Sequence, residues 1–265
     1  MKVKNKIVWI TGASSGIGEA LADALFKRGS TLILSARNAA RLQEIKTRLD
    51  EKAPGRCFTV PCDVTLKESV EQAVATVKQL VGNVDILISN AGVSQRSYAL
   101  DTDLKVDRDL FEVNFFGAVA VTKGILPWMI SRGGGHIVVI SSMAGKYGFR
   151  MRSAYSASKH ALHGFFETLR AELHDKNVQV TMVVPGRIKT DISIHSLTGS
   201  GATYGKMDKG QASGVPVDTC ARIIVRAIES NRKEVFIGRL ELFLLTMKRL
   251  CPPVYFWIVN RASPT

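Results

Sequence analysis

Short apolar runs and amphipathic stretches alternate along most of the chain. The apolar runs are typical of strands buried on both faces of a sheet, and the longer amphipathic stretches predict helices. The predicted strands are 6–11, 31–36, 57–60, 84–89, 137–140, 178–184 and 234–237. The predicted helices are 17–27, 39–49, 66–81, 107–131, 154–174 and 218–231, and we expect Pro127 to kink or end the fourth. This alternation indicates βαβ units, so the sequence predicts an α/β fold with a parallel sheet.

One segment inside this pattern has no periodicity of its own. Residues 191–216 contain five glycines and few regularly spaced apolar positions. A long irregular loop in a compact domain is typical of a lid, a binding loop or a disordered segment. We expect one domain over residues 1–239, with 191–216 as its substrate loop.

The C-terminal segment is different because it is strongly apolar. Residues 240–259 are rich in Leu, Phe and Val, but Glu241, Lys248, Arg249 and a double proline interrupt them, so no membrane-spanning helix is predicted there. We treat 240–265 as an extension of the domain. It is expected to cover the cleft, to form a subunit interface or to contact a membrane surface peripherally through its aromatic and basic residues.

Composition and charge narrow the function classes. The 265 residues carry a formal charge of +13, but no helix concentrates basic residues with interleaved aromatics, so we expect no nucleic-acid partner. The N-terminus lacks a long apolar stretch, and none of the four cysteines forms a C-x-x-C pair, so we expect a cytoplasmic protein with reduced thiols. His160 and His163 lack a third ligand at a recognisable spacing, so we expect no metal site.

A glycine-rich turn follows the first predicted strand. Gly12, Gly16 and Gly18 form a G-x-x-x-G-x-G pattern that leads directly into the first helix. Glycine allows a tight turn and a close approach of a pyrophosphate to the backbone, and the helix N-terminus offers N–H groups to it. The pattern favours a dinucleotide site over a plain strand–helix turn.

The end of the second strand indicates which dinucleotide is bound. Sheets that bind NAD usually carry an acid there, whereas this chain has Ala36 followed by Arg37. A guanidinium binds a 2′-phosphate through two hydrogen bonds, so we expect NADP(H) rather than NAD(H). The alternative is that Arg37 is an ordinary solvated surface residue.

Tyr155 and Lys159 are the candidate chemical pair. They lie four residues apart on a predicted helix and therefore share one face. An ammonium at that position is expected to stabilise the phenolate and to lower the pKa of the tyrosine toward the working pH, as a general acid/base requires.

Several short motifs follow one another along the chain in a characteristic order. They are Thr11-Gly-Ala-Ser-Ser-Gly-Ile-Gly18, Cys62-Asp-Val64, Ser89-Asn-Ala-Gly92, Asn114, Ser141-Ser142, Tyr155-x-x-x-Lys159 and Pro185-Gly-Arg-Ile-Lys-Thr190. Together they resemble the short-chain dehydrogenases/reductases, except that Ser89 replaces the first asparagine of the Asn-Asn-Ala-Gly motif. The resemblance implies a single doubly wound, Rossmann-type sheet with strand order 3-2-1-4-5-6-7 and helices on both faces. It also implies interconversion of a carbonyl and an alcohol, for which Ala36 and Arg37 lead us to expect NADP(H) as the cofactor.

The resemblance assigns catalytic roles residue by residue. Tyr155 would be the general acid/base, and Lys159 would hold the nicotinamide ribose and lower the pKa of Tyr155. Ser142 would polarise the substrate oxygen; its neighbour Ser141 could face the same site, but the family spacing favours Ser142. Asn114 would anchor a water that links Lys159 to solvent.

The resemblance also implies how the cofactor is held. Asp63 and Val64 would contact the adenine, Asn90 would line the adenosine ribose, and residues 185–190 would position the nicotinamide. The implied cofactor-binding residues are Gly12, Ser14, Ser15, Gly16, Ile17, Gly18, Arg37, Asp63, Val64, Asn90, Ala91, Gly92, Tyr155, Lys159, Pro185, Gly186, Ile188 and Thr190. Asn90 and Asn114 have an alternative role as caps of backbone groups, and Thr190 has one as a helix N-cap.

The sequence predicts the substrate and the partners less sharply. Leu197, Tyr204 and Met207 in the loop, with Tyr147 and Phe149, favour a mid-sized apolar carbonyl or alcohol. The resemblance implies a homodimer or homotetramer paired through helices 107–131 and 154–174. A catalytically silent NADP(H)-binding sensor or scaffold protein is the alternative function.

Overall fold

The central element of the protein is a seven-stranded parallel sheet. The computed structural model describes residues 2–238 and 240–261. The strands of this sheet are β1 Ile7–Thr11, β2 Thr31–Ser35, β3 Cys57–Thr59, β4 Ile86–Ser89, β5 Gly135–Ile140, β6 Val178–Pro185 and β7 Glu234–Ile237. Their order is β3-β2-β1-β4-β5-β6-β7, and every pair is parallel. The predicted doubly wound fold and strand order are confirmed.

Both faces of the sheet are covered, which explains the nearly continuous apolar strands. On β1, Val8 and Ile10 enter one core cluster, whereas Trp9 points to the opposite cluster. Successive strand residues alternate between faces, so a strand needs apolar residues at every position when helices cover both sides. The one polar atom of Trp9 is satisfied within the core, where its Nε1 donates to Ser35 Oγ at 2.8 Å.

The helices lie near their predicted positions. They are α1 Gly16–Lys27, α2 Ala39–Asp50, α3 Lys67–Leu80, α4 Leu104–Phe111, α5 Gly117–Ser131, α6 Ser153–Glu172, α7 Lys209–Ala212, α8 Val217–Glu229, α9 Leu240–Leu250 and α10 Pro252–Arg261. The sequence does not predict α7, α9 or α10. Helix α7 is a single turn within the irregular 191–216 segment, and α9 and α10 form the apolar extension.

The long helix before β5 differs from its prediction in two ways. It begins at Leu104, and a π-helical turn over Glu112–Phe116 joins α4 to α5. Pro127 lies inside α5 and does not end it, since the helix continues to Ser131. Among the described residues, Leu104–Ser131 is also the one helical stretch long and apolar enough to cross a membrane. Val121, Ile125 and Met129 on it are fully buried in the core, while 39% of its most apolar window is buried overall, and length and composition alone are weak evidence for a membrane span.

The 191–216 segment has few regular elements, yet backbone hydrogen bonds hold it in place. Leu197 N donates to Ser94 O at 2.9 Å, and Arg96 N donates to Leu197 O at 2.8 Å. Gly199 fits so closely that a Cβ there would lie 1.8 Å from Asp101 O. The loop is therefore fixed to the segment that follows β4, a long-range pairing that local periodicity does not predict.

Helices α9 and α10 close one end of the molecule. Leu244 and Tyr255 form a small core with Met143, Tyr147 and Val184. Tyr147 Oη donates to Glu241 O at 3.2 Å, which ties α9 to the segment after β5. Residues 239 and 262–265 lie outside the described residues, and the division into a domain and an extension stays a prediction.

The four cysteines have environments typical of structural thiols. Cys57, Cys62 and Cys220 are buried, Cys251 is half-buried, and all four are free thiols. Burial raises the pKa of Cys57 and Cys220 to about 12.

His160 takes no part in the metal-like group that the described residues contain. That group consists of His163, Glu167 and Glu234, whose ligand atoms lie within 4.8 Å of one another. Lys146 Nζ lies 2.8 Å from Glu234 and 3.7 Å from Glu167, so both carboxylates already have an ammonium as a partner.

Candidate active site

The glycine-rich turn brings the ends of β1 and β4 into direct contact. Gly12 adopts a φ of +63°, and a Cβ there would lie 2.7 Å from Ala91 Cα. A Cβ at Gly18 would lie 2.2 Å from Gly12 O. Real side chains do not tolerate such distances, so these positions require glycine for close backbone packing as well as for conformation.

Asn90 fixes this turn from the neighbouring strand. Its Nδ2 donates to Thr11 O at 3.1 Å and to Gly12 O at 2.9 Å. Thr11 Oγ1 in return accepts from Asn90 N at 3.1 Å. The alternative role of Asn90 as a cap of backbone groups therefore has a structural basis, although the residue also lines the cavity described below.

The N-terminus of α1 faces the same region and suits a phosphate. Within the described chain, the Ser15 side chain makes no capping hydrogen bond, and Gly16 begins the helix with a φ of +56°. The first N–H groups of a helix have no partners inside it and attract anions. Arg37 is exposed at the end of β2 and lines the same cavity, where a 2′-phosphate would extend the cofactor. These groups fit a dinucleotide.

One large cavity runs from this turn to the catalytic candidates. Its volume is about 1400 Å³. The predicted site residues that line it are Gly12, Ser14, Ser15, Gly16, Ile17, Arg37, Asp63, Val64, Asn90, Ala91, Gly92, Ser142, Tyr155, Lys159, Pro185, Gly186, Ile188 and Thr190. Gly18 and Asn114 lie behind the lining and support it. The structure thus brings the predicted site together, while the role of each residue stays a prediction.

Ser142, Tyr155 and Lys159 are grouped within this cavity. Ser142 Oγ accepts from Ala144 N at 3.1 Å, and Ser142 lies near enough to Tyr155 to lower the pKa of its phenol. Lys159 Nζ lies 5.9 Å from the centroid of the Tyr155 ring and donates to Ile140 O at 3.0 Å. Ser141 also belongs to the lining of the cavity, and its Oγ is bonded to Lys159 O and His163 Nε2. The choice of Ser142 over Ser141 stays a prediction.

Burial dominates the proton equilibria of the pair. It raises the pKa of Tyr155, while the neighbouring Ser142 hydroxyl and the charges of Arg96 and Arg152 act in the lowering direction. Burial lowers the pKa of Lys159 to about 8. The balance favours a neutral phenol, which is the form that donates a proton. A lowering effect of Lys159 on the pKa of Tyr155 stays a prediction.

Asn114 lies behind Lys159, in the π-helical turn. Its Oδ1 accepts from Val93 N at 2.8 Å, and its Nδ2 donates to Val93 O at 3.0 Å and to Ser158 Oγ at 3.1 Å. A Cβ at Gly92 would lie 3.0 Å from Asn114 Oδ1 and 3.4 Å from Lys159 Nζ, so both side chains converge on this glycine. The side chain of Asn114 thus caps backbone groups, the alternative considered for it, and its place beside Lys159 is compatible with a relay.

The segment after β6 forms the opposite wall. Gly186 N donates to Ile237 O at 2.6 Å, which anchors the segment to β7. Gln211 Nε2 donates to Ile188 O and, at 3.3 Å, to Thr190 Oγ1. Thr190 is followed by turns rather than a helix, so its alternative role as a helix N-cap is wrong.

Sequence reasoning missed Gln95, which holds the start of the catalytic helix. This side chain is fully buried, and its Oε1 accepts from Ala154 N at 3.0 Å and from Tyr155 N at 3.3 Å. Its Nε2 donates to Ser153 Oγ at 3.3 Å. The N-terminus of α6 is therefore capped from a segment about sixty residues earlier, and no local capping signal marks it.

Sequence reasoning also missed a buried charge cluster beside Tyr155. Arg96 Nε and Nη2 lie 2.8 and 2.6 Å from Asp208 Oδ2, and Arg152 Nη2 lies 3.1 Å from the same oxygen. Arg96, Arg152 and Asp208 all line the cavity. A motif search does not find them, because they come from three separate parts of the chain.

The expected substrate contacts are only partly present. Leu197 lines the cavity, but Tyr204 and Met207 are not part of its lining. Phe149 lines it as well, whereas Tyr147 is fully buried against Tyr255. The extension contributes further apolar lining from Phe243, Leu244, Ile258 and Val259, and its role stays a prediction.

Comparisons with known proteins agree with this geometry. Residues 6–199 match the family model described as short chain dehydrogenase. A Drosophila melanogaster protein named dehydrogenase/reductase SDR family protein 7-like is 40% identical over 266 residues, covering 99% of this chain and 82% of that protein. A short chain dehydrogenase from Burkholderia cenocepacia, solved in complex with NADP, is 25% identical with a TM-score of 0.80 and coverages of 96% and 97%. A Burkholderia phymatum structure in complex with NAD is 22% identical with a TM-score of 0.85 and coverages of 100% and 98%, a likeness of fold alone.

Proposed function

The chain belongs to the short chain dehydrogenase family, and we propose that it is an NADP(H)-dependent enzyme with Tyr155 as general acid/base. Family membership itself makes the chain a nicotinamide-dependent oxidoreductase acting between a carbonyl and an alcohol. The observation that supports the finer proposal is the grouping of Ser142, Tyr155 and Lys159 in the cavity that begins at the glycine-rich turn.

Tyr155 handles the proton of the reaction. In the reducing direction its neutral hydroxyl donates a proton to the substrate oxygen, and Ser142 donates a hydrogen bond to the same oxygen as negative charge develops there. The nicotinamide, when bound, supplies or accepts the hydride. Lys159 is charged below its pKa of about 8 and stabilises the phenolate that Tyr155 becomes.

The choice of NADP(H) rests on the end of β2. Ala36 and Arg37 stand where an acid would discriminate against a 2′-phosphate, and Arg37 is exposed at the cavity wall. A guanidinium there attracts the phosphate, and no carboxylate at the strand end repels it. The backbone N–H groups at the start of α1 would hold the pyrophosphate.

The substrate is a mid-sized apolar carbonyl compound or the matching alcohol. Phe149 and Leu197 line one part of the cavity, and Phe243, Leu244 and Ile258 of the extension add apolar surface. An apolar molecule can be transferred from water into this apolar lining at little cost in free energy. A small charged metabolite would make few favourable contacts with the same lining.

NADPH consumption by the purified protein across a panel of carbonyls tests this function. The panel contains mid-sized apolar ketones and aldehydes, together with small charged oxo acids, and NADH replaces NADPH in a parallel series. We expect turnover of apolar carbonyls with NADPH and little with the oxo acids or with NADH. Tight NADPH binding without turnover of any carbonyl would reject the enzyme and favour a silent sensor or scaffold protein.

We also propose that the extension contacts an anionic membrane surface. Phe256 and Trp257 on α10 are 57% and 59% exposed, and Lys248, Arg249 and Arg261 lie near them in the chain. Exposed aromatics beside basic residues suit the headgroup region of a bilayer. Flotation with vesicles of anionic phospholipid tests this, with the double variant Phe256→Ser, Trp257→Ser against Leu100→Ser, which alters a fully exposed leucine elsewhere. Equal flotation of both variants would contradict the contact.

Pairing of two copies through α5 and α6 is the proposed assembly. Phe116, the last residue of the π-helical turn before α5, is 49% exposed, and Phe115 packs edge-on against Phe165 of α6. An apolar face spanning two helices suits an isologous interface between identical subunits. Sedimentation velocity should show a dimer or tetramer that Phe116→Asp converts to monomer; an unchanged species would contradict this interface.

A further inference from the structure

The cofactor side and the substrate side of the cavity differ in polarity. On the cofactor side, Arg37 and Asn38 line the wall and are exposed, so this side opens to water through polar groups. On the substrate side, the extension supplies four apolar side chains to the lining, which are Phe243, Leu244, Ile258 and Val259. A dinucleotide suits the first side, and a molecule that avoids water suits the second.

Phe243 joins the inside of the cavity to the outer surface of the protein. The residue lines the cavity and is nevertheless 52% exposed. Its neighbour Leu244 is 8% exposed and belongs to a small core with Met143, which lines the cavity directly after Ser142. The apolar wall therefore continues from the outside of α9 to the segment that carries a predicted catalytic residue.

The outer surface of the same two helices combines aromatic and basic side chains. On α10, Phe256 and Trp257 are 57% and 59% exposed and directly precede the lining residue Ile258. Arg261 lies over the ring of Trp257, with its Cζ 4.6 Å from the centroid. The exposed charged side chains in the described part of the extension are all basic, namely Lys248, Arg249 and Arg261. This surface is complementary to an anionic one.

We propose that the substrate enters the cavity beside Phe243 directly from an anionic phospholipid bilayer, while NADPH enters from water on the cofactor side. This inference rests on the proposed carbonyl reduction and on the proposed membrane contact. The exposed aromatics suit the headgroup region, and the basic side chains attract anionic headgroups. Since the apolar lining begins at that surface, a molecule dissolved in the bilayer would reach Tyr155 without exposing its apolar area to water.

This route narrows the substrate class. Exposure of apolar surface to water costs free energy in proportion to the area exposed, so direct transfer matters most for molecules that partition into lipid. The substrate is therefore a carbonyl compound, or the matching alcohol, that carries a long alkyl chain or several apolar rings. A short ketone that dissolves in water gains nothing from the route.

The test compares NADPH oxidation by the full chain on two kinds of vesicle. Both hold the same long-chain methyl ketone at the same mole fraction, one in phosphatidylcholine alone and the other in phosphatidylcholine with an equal amount of phosphatidylglycerol. Because the ketone is uncharged, its concentration in the surrounding water is the same in both, and a difference in rate reports uptake from the bilayer. We expect oxidation at least about tenfold faster on the anionic vesicles. A short-chain methyl ketone, which stays in water, should react at one rate with both.

Phe243→Ser tests the position of the entry. With enough anionic vesicles to bind all of the protein, this variant should reduce the long-chain ketone about tenfold more slowly than the unaltered protein. Leu250→Ser is the matched control, because Leu250 is an apolar residue of the same helix that is 73% exposed and is not part of the cavity lining. Its rate should stay close to that of the unaltered protein, and equal losses in the two variants would contradict an entry beside Phe243.

The remaining outcomes separate this inference from the proposed function. Equal rates on the two kinds of vesicle, with turnover of the short-chain ketone, would overturn the inference and leave the carbonyl reduction standing. If the protein then also forms a dimer that Trp257→Asp dissociates, the surface belongs to a second copy of the chain. No turnover of either ketone under any condition would reject the proposed function and this inference together.

Discussion

The cofactor side and the substrate side of the cavity are built in different ways. On the cofactor side, strands β1 and β4 approach so closely that Gly12 and Gly18 admit no Cβ, and Asn90 bonds directly to the turn. On the substrate side, the 191–216 loop is fixed by side chains that meet from distant positions, such as Arg96 and Asp208, which are 112 residues apart.

This difference determines what each side tolerates. Backbone packing against glycine leaves no room to adapt, so a single added methyl group acts on the whole turn. A loop tied down by a few buried polar contacts changes more readily when one contact is lost, and loops of this kind carry the specificity of many enzymes. The cofactor side is therefore expected to fail by steric clash, and the substrate side by the loss of particular hydrogen bonds and charges.

Gly18→Ala should give the largest effect, since it disrupts the cofactor side directly. The new Cβ would lie 2.2 Å from Gly12 O, a backbone atom that cannot move freely. Overpacking of this kind costs about 3 kcal/mol. Because the turn must keep its shape to bind the cofactor, the same free energy corresponds to a fall in NADPH affinity of about 100-fold. Fluorescence titration with NADPH measures it. Gly164→Ala is the control, because no heavy atom lies within 4 Å of its added Cβ; equal affinities for the two variants would contradict the steric account.

Gln95→Leu should have the next largest effect, on the substrate side. It removes the acceptor for Ala154 N and Tyr155 N in a fully buried position. Leaving these donors unsatisfied should lower the free energy of unfolding by about 2 kcal/mol and displace Tyr155. Urea unfolding measures the loss, with the exposed Gln79→Leu on α3 as control. A stability like that of the control would show that Gln95 does not support the helix.

Arg37→Ala should have the smallest effect and should act on one cofactor only. Loss of one exposed guanidinium should weaken NADPH binding about tenfold, equivalent to about 1.4 kcal/mol, and leave NADH binding unchanged. Parallel titrations with both cofactors measure this, and Arg132→Ala, an exposed arginine after α5, provides the control. Equal losses for NADPH and NADH would contradict a specific contact with the 2′-phosphate.

The same contrast explains how far the sequence predicts the site. Strand positions, the turn at Gly12 and the Tyr155/Lys159 pair are predictable, because periodicity and local spacing record them. The cap from Gln95 and the ion pair of Arg96 with Asp208 are not, because nothing local marks which distant residue each will meet.

Other misses have equally physical reasons. Pro127 does not end its helix, since packing of Ile125 and Met129 in the core outweighs the loss of one backbone hydrogen bond. Tyr204 and Met207 do not line the cavity. Their prediction failed because a loop without periodicity gives no indication of which residues face inward. Fold and motif are thus more predictable here than the surface that receives the substrate.

The most direct test of the central claim compares Tyr155→Phe with the unaltered enzyme. The substitution removes one hydroxyl from a buried side chain and leaves the glycine-rich turn intact. Carbonyl reduction at saturating NADPH and the NADPH dissociation constant are measured on the same preparations. We expect turnover to fall by at least about 100-fold while NADPH affinity stays within about twofold. Turnover near that of the unaltered enzyme would contradict the assignment of Tyr155 as the proton donor.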